Sequence, residues 1–164
     1  YPQIIFFVVI TSVIITTLGL GGAKKIPPPE DEGGGFVKKE KLVENTLIYL
    51  NAPYLWGGRS PLGIDCSGLV QMVYRLQGVE LPRDAYQQAE VGTTLSFVEE
   101  SEPGDLAFFD NDEGAIVHVG IMLQDNYIIH CHGEVRIDRI DHTGIYNAER
   151  RTHTHKLRVI KRIL

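Results

Sequence analysis

Cysteine is scarce in this chain: 164 residues hold only Cys66 and Cys131. So few exclude a small secreted scaffold stapled by disulfides, and free thiols are expected at both positions. Positive charge is also short. Sixteen basic residues stand against 21 acidic ones, a formal net charge of −5, so the chain lacks the basic footprint of a nucleic-acid binder. No internal repeat is present, and the length suits one domain with a real core plus a small appendage.

The N-terminus lacks a basic stretch ahead of its apolar run, residues 4–20, so the run is not built like a signal peptide. Its length is close to the ~20 residues that span a bilayer. Ile, Val and Thr dominate it up to Thr17, however, and these residues favour strands. Buried strands are expected there, with a membrane anchor as the less favoured alternative. Gly19-Leu20-Gly21-Gly22, Pro27-Pro28-Pro29 and Gly33-Gly34-Gly35 then read as linker. The expected organisation is a β-rich segment and linker over residues 1–37 and one domain over 38–164.

Within that domain the apolar positions Leu42, Val43, Leu47, Ile48 and Leu50 predict a core-packed helix over 37–51, stopped by Pro53. A second helix is predicted from Cys66 to Gly78, with Asp65 as its N-cap and Leu69, Val70, Val73 and Leu76 on one stripe. A shorter one follows from Pro82 to about Glu90. The remainder changes period. Segments 105–110, 116–123, 127–132 and 135–140 are short and rich in β-branched or aromatic residues, and 156–160 alternates as a last strand. Residues 145–151 read as a helical turn. Helices first and an antiparallel sheet second make an α+β fold.

Cys66 is then placed at the first position of a helix, where unpaired N–H groups and the positive helix end favour thiolate over thiol. His118 lies inside the apolar strand Ile116-Val117-His118-Val119-Gly120-Ile121, where an imidazole is otherwise hard to place. The next strand carries His130 and His132 on one face. A two-residue turn, Asp125-Asn126, puts these histidines and His118 on opposite faces. A three-residue turn, Gln124-Asp125-Asn126, with Asn126 left-handed, puts them on one face, with His118 opposite His132 and diagonal to His130. A cysteine at a helix start, a histidine to take its proton and a second polar group to fix that histidine's tautomer suit nucleophilic attack on an amide. Geometry leaves the choice between His130 and His132 open. A zinc site on His118, His130 and His132 is disfavoured: Cys131 points away from both neighbours in a strand, and Cys66 would be left unexplained. No metal or other cofactor is expected. His142, His153 and His155 are given no role.

Ala52-Pro53-Tyr54-Leu55-Trp56-Gly57-Gly58, Ile64-Asp65-Cys66-Ser67-Gly68-Leu69, Leu81-Pro82-Arg83, Pro103-Gly104-Asp105-Leu106, His118-Val119-Gly120-Ile121 and Ile129-His130 occur in this order. Together they resemble the NlpC/P60 family of papain-like cysteine peptidases, which cut peptides of the bacterial cell wall. The resemblance implies a papain-like fold with Cys66 as nucleophile, His118 as base and His130 as the third residue. It also implies that Tyr54, Trp56, Asp65, Ser67 and Arg83 surround the substrate, Tyr54 near the reacting carbonyl and Asp65 and Ser67 beside the peptide stem. Members most similar to this chain cut the bond between γ-D-glutamate and a diamino acid. Peptidoglycan stem peptides or muropeptides are the implied partners, outside the cytoplasm or at the wall, with cytoplasmic muropeptide recycling as the alternative. Two other readings share the scaffold: a module that binds wall peptides without cleaving them, and another amidase or acyl transferase. Where the family often has a small hydroxyl residue after Pro-Arg, this chain has Asp84-Ala85-Tyr86. Glu32-Gly33-Gly34-Gly35-Phe36-Val37-Lys38-Lys39 resembles the end of an SH3-like domain, here truncated or degenerate.

Overall fold

The computed structural model describes residues 39–164; the expectations for residues 1–37 lie outside them. The described order is α1 (Lys39–Thr46), a 3₁₀ turn (Leu47–Tyr49), the short hairpin β1 (Arg59–Ser60) and β2 (Gly63–Ile64), α2 (Cys66–Arg75) and α3 (Ala85–Gln88). There follow β3 (Thr93–Leu95), a second 3₁₀ turn (Val98–Glu100), β4 (Leu106–Asp110), β5 (Ile116–Met122), β6 (Tyr127–His132), β7 (Glu134–Ile140), β8 (Gly144–Asn147) and β9 (Thr152–Arg162). Helices precede an all-antiparallel sheet, as expected.

The sheet closes on itself. β4 to β8 pair in sequence order, and the long β9 pairs with β4 along one edge and with β8 along the other, making a six-stranded barrel to which β3 adds at the end of β9. Closure leaves these six strands without a free edge and gives the sheet an inside and an outside. Ala107, Phe109, Met122, Ile128, Ile140, Ile145 and Ile160 pack together inside. Leu106, Phe108, Val119, Ile121, Ile129, Cys131 and Val135 alternate with them and pack outside, against Leu42, Leu69, Val70, Val73 and Tyr74 of the helices.

Helix α2 is the element that matters for chemistry. Leu69, Val70 and Val73 are fully buried, each worth about 1.5–3 kcal/mol relative to exposure. That outweighs the roughly 0.5–1 kcal/mol that Gly68 costs within the helix. Gly68 is needed because a Cβ there would lie 2.4 Å from the Gly58 carbonyl oxygen of the glycine turn.

Three sequence expectations are corrected. Residues 145–151 do not form a helical turn: Gly144–Asn147 is strand β8, whose pairing with β7 and β9 closes the barrel and buries Ile145. The stripe on the first helix is narrower than predicted. Leu42, Thr46 and Tyr49 are buried, whereas Leu47, Ile48 and Leu50 are exposed, because the helix tightens to 3₁₀ at Leu47 and rotates them outward. On α2, Leu76 is exposed and Tyr74 takes the core position, its hydroxyl donating to the Gly104 carbonyl.

The β5–β6 turn adopts the three-residue alternative. Met122 pairs with Ile128, the Leu123 N–H donates to the Tyr127 carbonyl at 2.8 Å, and Gln124–Asn126 make the loop. Asn126 is left-handed at φ 58°, and Asp125 joins it at φ 56°. Gly120 therefore faces His130, and two further steps put His132 across from His118. Asn126→Gly is expected to leave stability within about 0.5 kcal/mol of wild type, while Asn126→Val costs on the order of 1 kcal/mol in urea denaturation. Deleting one loop residue turns one strand's faces inside out and removes the cooperative transition.

Candidate active site

Asp65 builds the start of α2. Its backbone is extended (φ −104°, ψ 176°) and its Oδ1 accepts the Gly68 N–H at 2.7 Å, an N-cap bond. Its Oδ2 accepts the Gly57 N–H at 2.8 Å. The Arg83 guanidinium closes on both carboxylate oxygens and also donates to Ser67 Oγ at 2.9 Å. Burial alone would raise the Asp65 pKa, but Arg83 and the two N–H groups together hold it below the ordinary carboxylate value.

Cys66 follows as the first helical residue, buried at 8% exposure. Backbone N–H groups of Val119, Ser67 and Cys66 itself point at its sulfur. They do not make it a resting thiolate. Burial pushes the thiol pKa up, the neighbouring Asp65 charge adds to this, and both outweigh the N–H groups. The helix start alone favours thiolate, so the expectation from sequence is corrected by desolvation. Both cysteines are free thiols, as expected, and Cys131 is turned away from the histidines, donating its S–H to the Ile64 carbonyl.

The histidines are on the inner side of β5 and β6. His118 Nε2 and His130 Nδ1 are 2.9 Å apart, and His130 Nε2 lies 3.0 Å from Asp138 Oδ2. Arg136 holds the same carboxylate through Nε at 2.7 Å and Nη2 at 3.1 Å. Despite burial, the hydrogen bonds from His130 and Arg136 bring the Asp138 pKa down to about 2, so it is ionised and only accepts. His130 must then carry its proton on Nε2 and accept at Nδ1, which makes His118 the Nε2–H donor. His118 Nδ1 keeps the lone pair. Burial, with the neighbouring imidazoles second, keeps His118 neutral far below the ordinary histidine pKa. Gly120 makes room for the pair: a Cβ there would lie 2.9 Å from His130 Cβ.

The expected shared face is therefore present, but it is the barrel interior, whereas α2 packs on the exterior. Cys66 meets β5 at the Val119 N–H, one residue along the chain from His118. Tyr54, Trp56, Asp65, Cys66, Ser67 and Arg83 all line one cleft of about 600 Å³, together with Tyr86 and Val117. Trp56 is 84% exposed and Tyr54 38%, free of any core-packing role. The Tyr54 N–H, bonded to the Gly133 carbonyl at 2.8 Å, ties this aromatic loop to the β6–β7 turn. A larger hollow of about 810 Å³, between Val43, Pro103, Leu123, Tyr127 and Ile137, contains none of the reactive side chains.

Two residues at this site were not singled out from sequence. Asp138 shares strand parity with the buried Ile140, which is the signal for an inward acid. His155, left without a role, stacks on His118 with ring centroids 4.2 Å apart. Its parity with inward Leu157 was hidden because the predicted strand began at Lys156 rather than Thr152. His132 is exposed and packs edge-on against His155, outside the hydrogen-bonded chain.

Arg83→Ala leaves the Asp65 carboxylate buried without its guanidinium. A fully buried pair broken this way costs about 3–5 kcal/mol; with the Arg83 side chain 30% exposed, about 2 kcal/mol is expected from urea denaturation. Arg83→Lys recovers less than half, because an ammonium does not make two parallel bonds. The folded Asp65 pKa lies below 3.8, so the difference between wild type and Arg83→Ala persists at neutral pH and shrinks as pH falls through that lower value.

Residues 51–156 match the NlpC/P60 family. The chain is 38% identical over 93 residues to the gamma-D-glutamyl-L-lysine dipeptidyl-peptidase of Bacillus subtilis, covering 56% of this chain and 31% of that protein. It is 38% identical over 97 residues to the probable endopeptidase p60 of Listeria seeligeri, covering 58% and 18%. The chain thus spans less than a third of the length of either relative. Among solved structures, the NlpC/p60 domain of the peptidoglycan hydrolase SagA superposes with a TM-score of 0.57 at 31% identity, over 63% of this chain and 90% of that one. An NlpC/P60 family protein from Bacillus cereus superposes at 0.66 with 27% identity, over 77% and 40%. With the motifs in order, the helix-then-barrel architecture and a match over 51–156, the chain belongs to the NlpC/P60 family.

Proposed function

We propose that this domain is a cysteine endopeptidase that cuts the amide bond between γ-D-glutamate and a diamino acid in peptidoglycan stem peptides, outside the cytoplasm or at the cell wall. The observation that carries the reading is the chain Asp138–His130–His118, which fixes the base's tautomer one residue away from the N–H that faces the Cys66 sulfur. The cleft above Cys66, with its Asp65–Arg83–Ser67 wall and exposed Tyr54 and Trp56, is of a size and polarity to hold a short peptide. The relatives named as γ-D-glutamyl peptidases point to the same bond.

The resting pair is neutral thiol and neutral imidazole, so proton transfer accompanies attack. His118 Nδ1 takes the Cys66 proton as the sulfur adds to the γ-D-glutamyl carbonyl. The oxyanion is held by the Cys66 N–H, with the Tyr54 hydroxyl beside it. As the tetrahedral intermediate collapses, the C–N bond breaks and His118 returns the proton to the leaving amine. Water, deprotonated by the same nitrogen, then hydrolyses the thioester. Ionised Asp138 stabilises positive charge on the His118–His130 pair during both transfers.

One observation favours the competing reading, a module that binds wall peptides without turnover: burial holds the Cys66 thiol pKa up. Incubation with defined muropeptides and mass analysis of the products separates the two. Wild type is expected to release a free diamino-acid amine, and Cys66→Ala to lower cleavage at least about 10³-fold while remaining folded. Binding without products would identify the module.

Asp138→Asn removes the fixed acceptor that sets the relay's tautomers. Its kcat is expected to fall roughly 10²-fold with KM nearly unchanged, since no substrate contact is lost. His130→Ala falls further, His118→Ala furthest, and His132→Ala stays near wild type in steady-state assays. A larger loss for His132→Ala than for His130→Ala overturns the relay.

A further inference from the structure

Three imidazoles converge from β5, β6 and β9: one ring nitrogen each of His118, His130 and His155 lies within 4.8 Å of the others. Two of the rings have their outward nitrogen already engaged. His130 Nε2 is bonded to Asp138 Oδ2 at 3.0 Å, and His155 Nδ1 lies 2.9 Å from Thr154 Oγ1. An outer hydrogen bond on the second ring nitrogen is the support that metal-ligating histidines have. We propose that His118, His130 and His155 form a binding site for a divalent transition metal of the zinc class, and that occupancy of this site switches off the catalytic base.

Around a tetrahedral zinc, ligand nitrogens at ~2.0–2.1 Å from the metal lie roughly 3.3 Å apart. The His118–His130 separation is 2.9 Å and the widest separation in the cluster 4.8 Å, so the pair opens slightly and His155 closes inward. His155 now lies 24° from coplanar with His118, a stack in which the two lone pairs cannot meet at one point. It must turn its edge toward the pair. His155 is only partly buried, between exposed His132 on one side and the core ring of Phe109, 6.0 Å away, on the other, so the rotation turns it against the edge of Phe109. Cys131 contributes nothing, since its sulfur faces the Ile64 carbonyl. Three neutral nitrogens leave a fourth position for water, a ligand set that suits zinc, copper, nickel or cobalt and not magnesium or calcium.

The inhibitory half rests on the reading of His118 as the base; the binding half does not. Without metal, His118 carries its proton on Nε2 and offers Nδ1 to the Cys66 thiol. A metal takes the Nε2 lone pair, so the proton moves to Nδ1 and no proton leaves the site overall. Nδ1 is then a donor and cannot accept the thiol proton. The sulfur is not a ligand.

The site is tested on the Cys66→Ala chain, which has no thiol at that position to compete for metal. Titration with Co²⁺ is expected to bind one equivalent with visible absorption bands of a nitrogen-ligated, low-coordinate ion, displaced by Zn²⁺. His155→Phe in the same background keeps an aromatic ring against His118 and is expected to weaken binding at least tenfold. Thr154→Val, which removes only the outer hydroxyl, is expected to weaken it about tenfold. In the Cys66 enzyme, Zn²⁺ inhibits reversibly by chelator, and His155→Phe raises the half-inhibitory concentration at least tenfold relative to that variant's own metal-free activity. Absence of cobalt binding in Cys66→Ala, or binding unchanged by both His155→Phe and Thr154→Val, overturns the site. Binding that passes these tests in a chain that cleaves no muropeptide leaves the metal site standing and sinks the peptidase reading alone.

Discussion

The carboxylate of Asp65 is the joint on which the rest of the site depends. It caps α2 through Gly68, holds the aromatic loop through Gly57 and receives the Arg83 fork. Three segments within residues 57–83, the aromatic loop, the start of α2 and the Arg83 turn, therefore meet at one buried charge. Burying that charge is unfavourable unless every lone pair is used, and here the partners are two N–H groups and a bidentate guanidinium. The position of Cys66, one residue on, follows from this satisfaction. Neither the helix start nor the cleft wall has an independent anchor of comparable strength among the described residues.

The second constraint is barrel closure. Once β9 joins β4 to β8, side chains of alternate parity are committed to inside or outside. Polar groups on the inside must then find partners there. His118, His130 and Asp138 do so with one another, in a chain that ends on half-buried Arg136, while His155 stacks on His118 and pairs through Nδ1 with Thr154. The outer face takes the helices and, with them, the cysteine. Cys66 and His118 are thus presented to opposite faces of β5, with Val119, whose N–H faces the sulfur, next to His118 in the chain.

This division explains the protonation state. A helix N-terminus and three N–H groups favour the thiolate, yet the sulfur is buried and a carboxylate stands beside it, so the thiol wins. The imidazole is buried too, and its ionised form is likewise disfavoured. Both groups are therefore neutral at rest, and ionised Asp138 is the buried negative charge next to the imidazole pair.

The sequence by itself determined the α+β class, the helix that starts on Cys66 with Asp65 as its cap, the central strands and the two candidate turns between β5 and β6. These are local: capping chemistry, a 3.6 or 2 residue period, and glycine or asparagine where the backbone turns left-handed. Residue spacing alone left the turn's length, and with it the facing of His118 and His130, undecided. Tertiary structure decided that register, made the first part of the helical turn expected at 145–151 into the strand that closes the barrel, and brought Asp138 and His155 to the histidines from strands 8 and 25 residues beyond His130. It also reversed the expected ionisation of Cys66. Each of these depends on burial and on pairing between distant strands, and neither is encoded in any window of sequence short enough to carry its own pattern.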